Sequence, residues 1–261
     1  MNPAKAFLKL HPPLWFALRD GYHGLRGRRE PELALLPWLV PVGRTALDIG
    51  ANAGGYANAL CKLGGRVVAV EANPVLASEL RRMFQGRAEV INAAASNVDG
   101  EIMLRIPLKG SSAAGLATVE TDNLLGGSDV QTVAVPAMRI DDLDLPDVGF
   151  IKIDVEGHEL AVLEGARNTI ARCRPTLLVE AENRHRKDAV ESVAAFLDTL
   201  GYVGFMLVDG RTLTSLGGFD PDVHQAVSAA DYEHLDHGYA PKGYVNNFIF
   251  VAGGRRAGSG S

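Results

Sequence analysis

Residues 45–71, reading TALDIGANAGGYANALCKLGGRVVAVE, restrict the fold more than any other stretch of the chain. A short apolar run (Ala46, Leu47, Ile49), interrupted by Asp48, reads as a strand. Gly50, Gly54 and Gly55 form a turn, followed by a helical pattern (Ala57, Leu60, Cys61) closed by Gly64 and Gly65. A second apolar strand, Val67 to Val70, ends on Glu71. Such a βαβ unit lays a nucleotide-like ligand across its strand ends. Turn glycines carry no Cβ and let the backbone approach the ligand closely. An acid closing the second strand can accept hydrogen bonds from both hydroxyls of a ribose.

The turn excludes two nucleotide sites. A dinucleotide fingerprint needs glycine at its third position, where this chain has Asn52, and a phosphate loop needs a Gly-Lys-Ser/Thr that never follows. The sequence Asp-x-Gly-x-x-x-Gly is instead similar to the first motif of class I S-adenosylmethionine (SAM) methyltransferases. Their ligand has an amino-acid tail and no pyrophosphate, so an acid near the turn can help to hold its ammonium group. An ordinary tight strand-to-helix turn is the competing interpretation, and Glu71 with the later strands weighs against it.

The 261 residues, 47% hydrophobic and 22% charged, suffice for one sizeable core. They predict a helical arm or cap over 1–44, a single α/β domain over 45–252 and a flexible tail over 253–261. A net charge of −5 argues against a nucleic-acid binder that relies on bulk electrostatics. Cys61 and Cys173 read as buried thiols of a reducing compartment. With no run of about 18 apolar residues and no secretory leader, a cytoplasmic location is expected. Residues 4–29 mix Phe7, Leu8, Leu10, Leu14, Trp15 and Phe16 with Lys5, Lys9, Arg19, Arg26, Arg28 and Arg29. They offer either a peripheral membrane or partner contact or a cap with a solvated basic face. The cap is preferred, because half of the segment lacks a polar face.

Downstream, Asn73 to Gln85 predicts a helix with a cap and a proline in its first turn. Strands are predicted at 88–93, 102–106, 132–135, 150–154 and 176–182. Helices are predicted at 158–172 and 189–200, and a final antiparallel pair at 202–208 and 247–251. A glycine-rich loop over 110–127 is long enough to cover a site, and 209–246 reads as polar and irregular. The alternation predicts a three-layer α/β/α sandwich on a mostly parallel, seven-stranded Rossmann-like sheet with a final antiparallel strand. Its carboxyl rim gathers Gly50 to Gly54, Glu71, Ala93 to Ser96, Asp154 to His158 and Glu182 to His185.

At that rim Asp154, Glu156, His158, Glu182 and His185 are candidates for catalysis. Methyl transfer to a hydroxyl needs in-line placement and a base, and His158 and His185 are the base candidates by intrinsic pKa. Asp154 and Glu182, on adjacent strand ends, could instead hold a divalent ion, or these acids could cap helices and pair with Lys152, Arg184 and Arg186. His234 and His237 have ligand-like spacing without a matching acid. Tyr232, Tyr239 and Tyr244 could stack on a sugar or pack a loop.

The stretches EPELALLPWLV, LDIGANAGGY, VVAVEANP, IKIDVEGHELAVLEGA and RPTLLVEAENRH together resemble the FkbM-type methyltransferases, from about Glu30 to Ala252. The resemblance implies O-methylation from SAM, often of sugar, glycan, lipid-linked or polyketide hydroxyls. By position it implies Asp48, Gly50, Asn52, Gly54 and Tyr56 for the cofactor loop, and Glu71 for the ribose with Ala72 and Asn73 beside it. Ala93 and Ala94 would lie near the adenine, and Asp154 near the methionine end. Ala72 departs from the proline often found there. A sugar or glycosylated-metabolite hydroxyl is the expected acceptor. The alternatives are a polyketide or other small natural product, or a catalytically silent SAM-binding module.

Overall fold

The computed structural model describes residues 30–108, 117–120, 130–226 and 243–253. The expectations for residues 4–29, for most of 110–127, for Tyr232, His234, His237 and Tyr239, and for the tail beyond residue 253 lie outside these residues. The chain enters through a 3-10 turn (Pro31–Ala34) and a one-turn helix α1 (Leu36–Leu39). It continues through β1 (Thr45–Ile49), α2 (Gly55–Cys61), β2 (Val67–Val70), α3 (Pro74–Met83) and β3 (Glu89–Ile91). Three strands follow, β4 (Ala94–Ala95), β5 (Gly100–Pro107) and β6 (Val130–Met138). Then come β7 (Val148–Ile153), α4 (Glu159–Gly165), α5 (Arg167–Cys173), β8 (Thr176–Glu180) and α6 (Ala189–Thr199). β9 (Tyr202–Val208), β10 (Thr212–Ser215), α7 (Pro221–His224) and β11 (Asn247–Ala252) complete the fold.

The main sheet has the order β10-β9-β11-β8-β7-β1-β2-β3. Strands β3, β2, β1, β7 and β8 run parallel, and β11 slots antiparallel between β8 and β9. The mostly parallel sheet with a final antiparallel strand is as expected, but it has eight strands. The extra one, β10, lies in the stretch expected to be irregular. Asp209 and Gly210 take φ of 52° and 64°, and the Arg211 N–H closes on the Val208 carbonyl at 3.1 Å. An Asp-Gly pair at positive φ folds β10 back onto β9 as a hairpin.

Strand alternation splits the core in two. Leu47, Ile49, Ile151, Ile153, Leu177 and Val179 face one side with residues of α4, α5 and α6. Ala46, Ala69, Phe150, Leu178 and Ile249 face the other with Leu36, α2, α3 and Phe84. The α3 start is as expected: Pro74 sits in the first turn and the Asn73 side chain accepts the Val75 N–H at 3.0 Å. The helix expected over 158–172 is two helices that meet at Ala166. The Asp141 carboxylate takes the Asn168 and Thr169 N–H groups at 3.0 and 2.7 Å, so it caps a new helix there.

The runs at 102–106 and 132–135 extend in both directions. They form a second, three-stranded sheet, β4-β6-β5, with its own small core of Ala94, Leu104 and Val135. β4 follows β3 after two residues, which brings this sheet over the carboxyl ends of β1, β2 and β7. Cys173 is buried, whereas Cys61 is only half-buried; both are free thiols. Among the described residues no helix is long and apolar enough to cross a membrane.

Candidate functional site

The first turn is held from beneath by its neighbours. Gly50 has φ 78°, and a Cβ there would lie 1.7 Å from the Asp154 carbonyl oxygen. Gly54 has the same φ, and a Cβ there would press to 2.6 Å from the Phe84 ring. Only glycine meets both demands, a left-handed backbone and contact without a side chain. Between them, Asn52 adopts φ 47°, which asparagine tolerates better than most residues. Its N–H donates to Glu71 Oε2 at 2.7 Å, and the Asn73 N–H donates to Glu71 Oε1 at 2.7 Å. Burial pushes the Glu71 pKa up while these two bonds pull it down, for a net rise. Each carboxylate oxygen keeps a lone pair for a further donor. The Asn92 amide locks this corner by donating to the Glu71 and Ala72 carbonyls at 2.9 and 3.0 Å.

Above the turn lies a cleft open to solvent. It is lined by Gly50, Asn52, Glu71, Ala72, Ala93, Ala94, Asp154, Glu156 and His158 among the expected residues. Ala95, Leu104, Ala117, Thr118, Val119 and Val155 complete its walls with Ile49 and Val70. The other expected residues stand behind or beside it. Gly54 packs on Phe84, Asn73 caps α3, and the Tyr56 hydroxyl donates to Glu30 at 2.5 Å. Asp48 is buried under the turn, and Glu182 and His185 sit behind Glu156.

The two histidines differ in company. His158 Nδ1 is 2.6 Å from Glu120 Oε1, and Nε2 is 2.9 Å from the Ser96 hydroxyl. In the neutral ring, an Nδ1–H given to the carboxylate leaves Nε2 as the acceptor. The His158 hydrogen bond holds the Glu120 carboxyl below its ordinary value. Thr118 braces this arrangement: its hydroxyl accepts the Glu120 N–H and donates to the Glu156 carbonyl. His185 Nε2 lies 2.8 Å from Glu156 Oε2, in ion-pair contact but out of line for a hydrogen bond, and 3.5 Å from Glu182 Oε1. Burial opposes its charge, yet the Glu156 and Glu182 carboxylates raise its pKa to about 10. His185 is therefore an imidazolium at neutral pH.

A family model described as the methyltransferase FkbM domain matches residues 48–205, more than half of the 261 residues. The chain belongs to the FkbM methyltransferase family. With that family goes dependence on SAM. The FkbM fold is also seen in the crystal structure of an FkbM methyltransferase from Methylobacillus flagellatus, with a TM-score of 0.54 and 17% identity. The match covers 85% of this chain and 48% of that one, so this chain spans about half the length of that relative. A TehB-like SAM-dependent methyltransferase from Corynebacterium glutamicum gives 0.44 at 12% identity, covering 93% and 98% of the two chains. An O-methyltransferase from Bacillus cereus in complex with S-adenosylhomocysteine (SAH) gives 0.43 at 16%, covering 85% and 78%. Only the first of these likenesses bears on the fold. No curated protein sequence matches the chain.

In this FkbM chain, Glu182 does not pair with Asp154 as a two-acid ion site would require. Arg184 grips Glu182 through Nε and a terminal nitrogen at 2.8 and 3.0 Å, and the Tyr244 hydroxyl donates to the same carboxylate. Burial opposes ionisation of Glu182, but the neighbouring His185 and Arg184 cations outweigh it and hold its pKa well below the ordinary range. Among the described residues no group of three His, Cys, Asp or Glu is arranged to hold a metal ion. The carboxylate whose charge acts on Asp154 is Glu180, two residues earlier, at the end of β8. Sequence reading placed Ser96 on the rim without giving it a role, and missed Glu120, Asn92 and Glu30 as site residues. Glu120 and Ser96 carry no motif and meet His158 only through the fold.

Proposed function

We propose that this chain transfers a methyl group from SAM to a hydroxyl of a sugar, a glycan or a glycosylated metabolite, with His158 as the base. The observation that carries this reading is His158 on the wall of the cleft, oriented by Glu120, in the same cleft as Glu71. The cleft suits the cofactor in three respects. Glu71 retains acceptor capacity for the ribose hydroxyls, Ala93, Ala94 and Leu104 offer apolar contact for the adenine, and Asp154 lines the same cleft. When bound, SAM supplies an electrophilic methyl on a sulfonium.

The protein's own work is then placement and proton removal. An acceptor hydroxyl takes the place of the Ser96 hydroxyl at His158 Nε2. As the acceptor oxygen is methylated, His158 Nε2 would take the hydroxyl proton. Glu120 steadies the imidazolium that results. The imidazolium of His185 has no lone pair to offer and acts in this reading as a fixed partner of Glu156. The sugar class of acceptor rests on the family resemblance, and Thr118, Glu156 and His158 provide a hydrogen-bonding wall suited to it.

The test is a methyl-transfer screen with radiolabelled SAM over sugars, glycosides and aglycone polyketides. Label in the glycosides, lost in His158→Ala, supports the reading. Label only in aglycones contradicts the acceptor class, and full turnover by His158→Ala contradicts the base.

A further inference from the structure

Glu156 is held on the cleft wall more firmly than a capping acid needs. It has φ 53°, a left-handed backbone that glutamate adopts at a cost and that recurs where a site demands it. Its carbonyl accepts the Thr118 hydroxyl at 2.9 Å. Gly157 follows at φ 104°, and a Cβ there would stand 3.4 Å from His185 Cβ and 3.5 Å from Glu120 Cγ. The turn is thus wedged between the partner of Glu156 and the partner of His158. The Glu156 side chain is 15% exposed and lines the cleft, as does His158 two residues on. One of its oxygens is committed, since Oε2 lies 2.8 Å from His185 Nε2. Among the described residues no hydrogen bond reaches Oε1, which keeps its acceptor capacity. The charge is already answered: His185 is an imidazolium, and Arg184 answers Glu182 on the far side. A second cation at Oε1 would stand beside the His185 charge, so a neutral donor such as a hydroxyl fits better.

We infer that Glu156 Oε1 accepts a hydrogen bond from a second acceptor hydroxyl, next to the one whose proton goes to His158, and so selects acceptors with two neighbouring hydroxyls. The inference rests on the sugar-hydroxyl reaction proposed above and narrows its acceptor to a diol. Glu156 and His158 leave one turn and line one cleft, so a hydroxyl at each anchors a sugar ring at two points. Two-point anchoring fixes the direction of the reacting oxygen, which a single contact at Nε2 leaves free to rotate. Glu156 is a specificity residue in this arrangement: it touches the acceptor and neither takes nor gives a proton.

The experiment measures methyl transfer from radiolabelled SAM to methyl hexopyranosides and to their monodeoxy analogues, each lacking one hydroxyl. For each pair the readout is kcat/KM, or the inhibition constant where an analogue is not turned over. The parent protein is expected to lose about tenfold when the hydroxyl next to the methylated one is missing, the scale of one charged hydrogen bond. Glu156→Gln is expected to lower the value for the full glycoside about tenfold and that for the analogue by less than about twofold, with SAH affinity unchanged within about twofold. Equal losses on both acceptors, or no loss on either, overturn the inference and leave the sugar reading standing. A matching fall in SAH affinity would make Glu156 a cofactor residue and also overturn it. Label in no glycoside with the parent overturns the sugar reading and the diol with it. Because Glu156→Gln leaves His185 with one carboxylate fewer, the double variant with His185→Asn repeats the measurement with the charges balanced. It is expected to show the same loss of discrimination. Failure of both variants to fold would make Glu156 a structural residue and overturn the inference.

Discussion

His158 and His185 stand on the same rim, follow adjacent strands, and are indistinguishable by residue type. One faces the cleft between a carboxylate and a serine hydroxyl; the other is enclosed by two carboxylates beside an arginine. That difference decides their chemistry. An imidazole with an acceptor nitrogen on a cleft wall can take a proton, whereas an imidazolium locked to Glu156 and Glu182 can only hold structure. Intrinsic pKa nominates both residues, and neighbours separate them.

The widest gap between the two should appear in turnover. His158→Ala is expected to lower it by about 10² to 10⁴, the usual worth of a positioned base, while SAH affinity and the unfolding midpoint stay near those of the parent protein. A loss of affinity as large as the loss of rate would make His158 a binding residue. The next largest effect belongs to the locked side. Arg184→Ala leaves Glu182 buried with a weaker partner set, and chemical denaturation should show about 3–5 kcal/mol less stability. A change below about 1 kcal/mol would mean that the ion cluster contributes little to the fold.

The pH dependence sharpens the comparison. The folded-state pKa of His185, about 10, lies above its ordinary value of 6.5. Its stabilisation is therefore complete below about pH 6.5 and disappears as pH rises through about 10. Unfolding free energies measured across that window should fall for the parent relative to His185→Asn, by on the order of 5 kcal/mol. Parallel curves would remove the imidazolium from the account. The smallest expected effect is that of Glu120→Gln, about tenfold in turnover with SAH affinity intact, because the ring keeps a hydrogen-bond partner but loses the charge that steadies its protonated form.

The sequence was most readable where function is local. Gly50, Asn52 and Glu71 lie within one βαβ unit, where the left-handed turn requires glycine at Gly50 and favours asparagine at Asn52, and where Glu71 closes the second strand. The order of strands and helices also followed from period and punctuation. Legibility ended where partners arrive from other segments. Glu120 comes from a short stretch between β5 and β6, Ser96 from the end of β4, and Glu30 from before β1, and none is marked by spacing. The second sheet was visible only as two strand-like runs, because pairing partners are set by tertiary packing. The β10 hairpin was announced by Asp209-Gly210 but masked by the polarity of the surrounding stretch. The break at Ala166 depends on Asp141, a cap supplied from a distant turn.

The central claim is that the cleft above Gly50 and Glu71 is a SAM site, and isothermal titration of the purified chain with SAH tests it most directly. The account predicts one-to-one binding, weakened at least tenfold in Glu71→Ala while circular dichroism shows the fold intact. Absence of binding by the unmutated chain, or undiminished affinity in Glu71→Ala, would contradict it.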